Sequence, residues 1–109
     1  MLNIKIICVG KMKEKSLQEL IFEYQKRLSK YCKLEIIEVD DEKLPLNYSI
    51  ADAQKIKEKE CNKIKEKLNK IGKSSIIFLD LSGKQYTSEE FSDKINNMCT
   101  YGTSTITFV

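Results

Sequence analysis

Four segments rich in β-branched and aliphatic residues alternate with three whose apolar residues recur at helical spacing. That alternation restricts this chain more than any other feature. Leu2 to Val9 is a near-continuous apolar run closed by Gly10, the pattern of a strand buried on both faces. Ser16 stands three residues before Glu19, a capping-box spacing. Leu17, Leu20, Ile21, Tyr24, Leu28 and Tyr31 follow at helical intervals, with Glu23, Lys26, Arg27 and Lys30 on the other face. Leu34 to Val39 is a second strand, whose two glutamates suggest a sheet edge. Asp40 to Tyr48 holds the only proline, Pro45, and reads as a loop. Ser49 with Asp52 opens a long helix striped by Ile50, Ala53, Ile56, Cys61, Ile64, Leu68 and Ile71, and Gly72 closes it. Ser75 to Leu81 is a third strand. Thr87 with Glu90 caps a helix striped by Phe91, Ile95, Met98 and Cys99, which Gly102 stops.

The order β-α-β-α-β-α-β predicts one α/β domain over residues 1–109, with an open, largely parallel sheet, helices on both faces and right-handed crossovers. The final segment, Thr103 to Val109, reads as a fourth strand with no cap or turn after it. Open sheets bind ligands just beyond the carboxyl ends of their strands. The expectation is therefore a domain incomplete at its carboxyl end, with one ligand-side loop beyond Val109.

Composition narrows the function classes. The chain has 19 Lys plus Arg against 16 Asp plus Glu, a net charge of +3, too small by itself to argue for nucleic acid or membrane binding. Basic residues gather at Lys11, Lys13 and Lys15 and between Lys55 and Lys73, where interspersed glutamates suggest a solvated helix face. With no histidine, the Ser/His/Asp and Cys/His constellations are excluded, and so are the usual zinc sets. Cys8, Cys32, Cys61 and Cys99 form no Cys-x-x-Cys pair. They read as small buried hydrophobes in a reducing compartment. Neither a secretory signal nor a run of membrane-spanning length is visible, so the expected location is cytoplasmic.

Three places could carry chemistry. Val9-Gly10-Lys11-Met12-Lys13 has one glycine, so it is neither a dinucleotide fingerprint nor a P-loop. Lys11 and Lys13 near a helix start could meet phosphate, though a solvated turn explains them as simply. Leu79-Asp80-Leu81-Ser82-Gly83-Lys84 places an aspartate at a strand end beside a glycine turn. That is a ligand-side arrangement in open sheets, or equally a turn capped by Asp80 and Ser82. Asp40, Asp41 and Glu42 form an acidic loop that solvation explains better than a metal ion.

Taken together, these segments resemble a known family. Ile6-Ile7-Cys8-Val9-Gly10-Lys11-Met12-Lys13-Glu14-Lys15, then Glu23-Tyr24-Gln25-Lys26-Arg27-Leu28, Leu34 to Val39, Lys57-Glu58-Lys59-Glu60, and Leu79-Asp80 with Ser82-Gly83-Lys84 are similar, in order and spacing, to the RlmH family of SPOUT-class ribosomal RNA methyltransferases. The resemblance implies an α/β-knot fold and a homodimer. It also implies methyl transfer from S-adenosylmethionine to N3 of a pseudouridine in large-subunit ribosomal RNA. Leu79 matches the family's cofactor-lining leucine, and Asp80, Leu81, Ser82 and Gly83 form the adjacent wall. Lys11 and Lys13 fall in the opening motif as candidate RNA contacts. No metal or membrane is implied. The family continues past its fourth strand with a Gly-Gly-x-x-Gly loop, the knot crossing and a His-bearing tail, none of which is in this sequence. Its catalytic residues are accordingly expected beyond Val109. These 109 residues alone are expected to bind the cofactor poorly, to lack activity and to self-associate through exposed surface. The alternative is a non-enzymatic module that binds RNA or protein, which the modest charge and the lack of a visible aromatic-basic stacking surface disfavour. An unrelated nucleotide-binding protein is disfavoured by the lack of a glycine-rich phosphate loop.

Overall fold

The computed structural model describes residues 2–109. Its order is β1 (Leu2–Val9), α1 (Lys15–Leu28), β2 (Cys32–Val39), α2 (Ile50–Ile71), β3 (Ser75–Ile77), α3 (Ser88–Tyr101) and β4 (Thr105–Phe108). The four strands form one parallel sheet in the order β2-β1-β4-β3. The expected edge position of β2 is therefore observed, and Glu35 and Glu38 are exposed on it.

Burial follows from strand position. Ile106 and Thr107, on the inner strand β4, are fully buried at 0% exposure. Thr107 is polar, and its hydroxyl donates to Ser74 Oγ at 2.9 Å, so the burial leaves no orphaned oxygen. Ile7 and Val39 complete the apolar centre with Cys32.

The helices occupy both faces. Side chains alternate along a strand, and register partners share a face. Gln18, Ile21, Tyr24 and Leu28 of α1 stand over Ile6, Cys8, Leu34 and Ile36. Phe91 of α3 lies 6.2 Å from Phe108, the register partner of Ile6, so α3 covers the same face. Helix α2 crosses the opposite face, where its Lys63, Glu66 and Lys67 meet Val39.

Several local expectations change. β1 is not buried on both faces: Ile7 is buried, most of its neighbours are half-buried and Val9 is exposed, because α1 buries no residue fully. The regular third strand ends at Ile77 rather than Leu81. Pairing nevertheless continues through Val109 N–H to the Ile77 carbonyl and Leu79 N–H to the Val109 carbonyl, both at 2.9 Å. The inward stripe of α2, only half-buried, runs through Ala53, Ile56, Glu60, Lys63, Ile64, Lys67, Leu68 and Ile71. Ile50 and Cys61 lie outside it and are exposed. Of the cysteines only Cys32 is buried; Cys8 and Cys99 are half-buried.

Helix starts separate true caps from apparent ones. Ser49 with Asp52, and Thr87 with Glu90, form reciprocal capping boxes as the sequence predicts. Ser16 does not cap, because α1 begins at Lys15 behind Glu14, which makes no side-chain cap bond. Replacing Thr87 or Ser49 by alanine should therefore cost about 1 kcal/mol, while Ser16→Ala should change stability by less than about 0.5 kcal/mol. Urea denaturation of the three variants checks the ranking.

Candidate functional site at the carboxyl edge of the sheet

All four strands run parallel, so the connections after β1, β2 and β3 emerge at one edge. That edge holds every site candidate read from the sequence. The loop after β1 leaves through Gly10, whose φ of +83° favours glycine over any L side chain. Gly10 N–H donates to the Val39 carbonyl at 2.8 Å, which ties this loop to the end of β2. Lys11 and Lys13 follow, both exposed.

The loop after β2 is held by one lysine of α2. Lys63 Nζ lies 2.8 Å from Glu42 Oε1 and donates to the Asp40 carbonyl at 3.0 Å. The Lys63 ammonium holds the Glu42 carboxyl below its ordinary value. Among the described residues, no group of three carboxylates and cysteines is arranged to hold a metal ion.

The loop after β3 carries the candidate cofactor wall. Asp80 turns its carboxylate back on its own loop: Ser82 N–H donates to Asp80 Oδ1 at 3.1 Å, and Gly83 N–H donates to the Asp80 carbonyl at 3.0 Å. This is an Asx turn. A side chain at Gly83 would put its Cβ 3.1 Å from the Asp80 carbonyl, so glycine keeps the turn tight. The hydrogen bond from the Ser82 backbone, aided by its hydroxyl, holds the Asp80 carboxyl below its ordinary value. With Asp80 internally engaged, Leu79 and Leu81 point out, 70% and 104% exposed.

The sign of the Asp80 shift sets a pH dependence. A lowered folded-state pKa stabilises the turn above the ordinary aspartate range, and that contribution is lost as pH falls through the folded value. Carbon-detected NMR titration of Asp80 should give a midpoint below that of an unstructured aspartate, with Ser82 and Gly83 amides shifting together. A normal midpoint would mean that the turn does not form.

The structure thus gathers Leu79, Asp80, Leu81, Ser82 and Gly83 into one turn. It sets Lys11 and Lys13 in a separate loop, since β4 lies between β1 and β3. Strand spacing places the two loops roughly 10 Å apart. An open groove of about 870 Å³ lies between α1 and the sheet and reaches the β1 loop at Gly10, Lys11 and Met12. Its walls include Ile6, Ile21, Tyr24, Leu28, Leu34 and Ile36, the same apolar stripes that drive α1 onto the sheet. We assign that space to loose packing between layers, because the apolar stripes of α1 and the sheet make up most of its wall, with Lys11, Gln18, Gln25 and Glu38 also lining it.

Sequence reading missed one feature of this edge. Lys84 Nζ lies 5.1 Å and Lys94 Nζ 5.5 Å from the ring centroid of Tyr86, beside the Asp80–Gly83 turn. Nothing in the local sequence announces the Lys94 contact, which depends on where α3 packs.

The family described as "Predicted SPOUT methyltransferase" matches residues 2–109. A protein of Clostridium botulinum named "Ribosomal RNA large subunit methyltransferase H" is 57% identical over 108 residues, covering 99% of this chain and 67% of the relative. Proteins of the same name from Latilactobacillus sakei and Streptococcus uberis are each 53% identical, with the same two coverages. A family match over residues 2–109, with relatives 53–57% identical across 99% of the chain, settles the kinship: the chain belongs to the SPOUT methyltransferase family.

Proposed function

We propose that this chain is the amino-terminal part of the catalytic fold of a ribosomal RNA methyltransferase. The reaction moves a methyl group from S-adenosylmethionine to N3 of a pseudouridine in large-subunit ribosomal RNA. The observation that carries this reading is the identity of 53–57% to proteins named for that RNA, across 99% of the chain. The acceptor atom rests on the family resemblance alone. A ribosomal substrate favours a cytoplasmic location, and no described helix is long and apolar enough to cross a membrane.

The residues of the β3 turn suit a thioether-sulfonium nucleoside as one wall of its site. Leu79 and Leu81 offer apolar surface for a purine ring, and Gly83 allows close approach of the backbone. Asp80 orients the wall rather than the cofactor, since Oδ1 already accepts from Ser82. The bound cofactor supplies an electrophilic methyl group. The chain's own part is to hold the donor at the sheet edge and exclude water from one side. Lys11 and Lys13 lie across β4 and are free to meet RNA phosphates. A homodimer agrees with the exposed Phe78 beside that wall, which a second protomer would cover. The non-enzymatic alternative gains no support from relatives that are named as methyltransferases.

The chain spans 67% of the length of these relatives, so the assay uses a chimera. The remaining third of the C. botulinum relative is joined after Val109. Ribosomes lacking the modification are incubated with the chimera and cofactor, and the RNA is digested for nucleoside mass spectrometry. The reading predicts N3-methylpseudouridine. A folded chimera that methylates nothing, or a different nucleoside, contradicts it.

A further inference from the structure

Tyr86 follows the cofactor turn by three residues, within about 11 Å of Gly83 along the chain. Its ring has two cations close to it, from different elements. Lys84 comes from the loop at 5.1 Å and Lys94 from α3 at 5.5 Å. Both distances fall inside the range of cation–π attraction. Phe91 supports the ring at 6.3 Å, tilted by 57°, and Phe91 in turn rests on Phe108 of the inner strand at 6.2 Å. The ring is therefore braced against the sheet, while Tyr86 remains 38% exposed.

The two ammonium groups are not neutralised. Among the described residues neither Lys84 nor Lys94 forms an ion pair. Glu90, one helical turn before Lys94, has its Oε1 turned to Thr87 N–H at 3.4 Å in the capping box and forms no ion pair with the lysine. Two cations lacking carboxylate partners around a braced aromatic ring is the composition used to hold single-stranded nucleic acid, where bases stack and phosphates pair.

Helix α1 offers a contrast. Lys26 over Phe22 and Arg27 over Tyr24 are neighbours within one helix, each ring with one cation. Arg27 is also paired with Glu23 at 3.2 Å. Such pairs arise on any exposed helix surface, and they lie away from the β3 turn.

We propose that Tyr86, Lys84 and Lys94 form a contact for single-stranded RNA, in which the two flexible lysines swing from the Tyr86 ring to flanking phosphates and one base stacks on the ring they uncover. This rests on the ribosomal RNA reading and adds to it a site flanking the cofactor wall. Because the stacked base is recognised by its face, the contact tolerates any sequence there.

The test uses the 109-residue chain, which has no tryptophan, so Tyr86→Trp places a single reporter at the site. Binding of an unstructured RNA octamer should quench that fluorescence. In anisotropy titrations with a labelled octamer, Tyr86→Leu should weaken binding at least tenfold, whereas Tyr86→Phe and the control Phe22→Leu should leave it within twofold. The double variant Lys84→Ala/Lys94→Ala should reduce the slope of log affinity against log salt by about 1.4, the value for two phosphates on a single strand. Thermal melts show whether Tyr86→Leu remains folded. If Tyr86→Leu is folded and binds RNA like the parent, or if the parent does not bind at 50 mM salt, the proposal is wrong. Methyl transfer by the chimera reports separately on the enzyme reading, so the two can fail independently.

Discussion

Ile106→Ala should destabilise the domain by about 3 kcal/mol, and Ile106→Asp should prevent folding. Ile106 is 0% exposed on β4, an inner strand between β1 and β3. It pairs with Ile4 on one side and Ser75 on the other. Truncation removes three side-chain carbons at a site fixed by backbone bonding on both flanks, so collapse around the cavity is restricted. A domain of this size has only about 5–15 kcal/mol of stability in total, so the loss is a large fraction of it. Urea titration followed by far-ultraviolet circular dichroism measures it. A loss below 1 kcal/mol would mean that β4 is not the centre of the sheet.

The second large effect belongs to the site. Leu79→Arg should reduce S-adenosylmethionine affinity of the chimera by at least tenfold and leave the melting temperature nearly unchanged. The side chain is 70% exposed, so a long charged replacement meets no core, while Leu79 N–H still bonds to the Val109 carbonyl. What changes is the apolar surface offered to the purine. Isothermal titration measures affinity, and a parallel melt separates the site effect from unfolding. Equal affinity in the two proteins would remove Leu79 from the cofactor wall.

The parts of the fold legible in the sequence were those set by local chemistry. The reciprocal caps at Ser49 and Thr87 are written within four residues each, and they form. The alternation that gives a parallel sheet needs only the order of periodic segments. Ser16 misleads because the same spacing occurs two residues too late: Gln18 N–H already bonds to the Glu14 carbonyl, so the helix is under way before Ser16 could cap it. Cys61 misled because a cysteine looks apolar at any register. Around it the half-buried positions on α2 are Glu60 and Lys63 beside the expected Ile64, and Lys63 reaches back to the Asp40–Glu42 loop. β3 is shorter than its apolar run because strand length depends on the partner, and β4 extends only from Thr105 to Phe108.

The site divides in the same way. The turn from Leu79 to Gly83 was visible because Asp, Ser and Gly encode it locally. The family resemblance, and not the turn itself, pointed to a cofactor. The lysine-flanked ring of Tyr86 was not visible. It joins residues eight apart through the packing of Phe91 on Phe108. An aromatic-basic surface that seemed absent from the sequence is therefore present in the fold.

The most direct test is to map S-adenosylmethionine on the 109-residue chain by amide NMR. The account predicts shifts concentrated at Leu79, Asp80, Leu81, Ser82 and Gly83, with affinity weaker than micromolar because this turn is one wall of the site. Shifts confined to the α1 groove around Ile21, Tyr24 and Leu28, or micromolar binding that leaves the β3 turn unmoved, would contradict it.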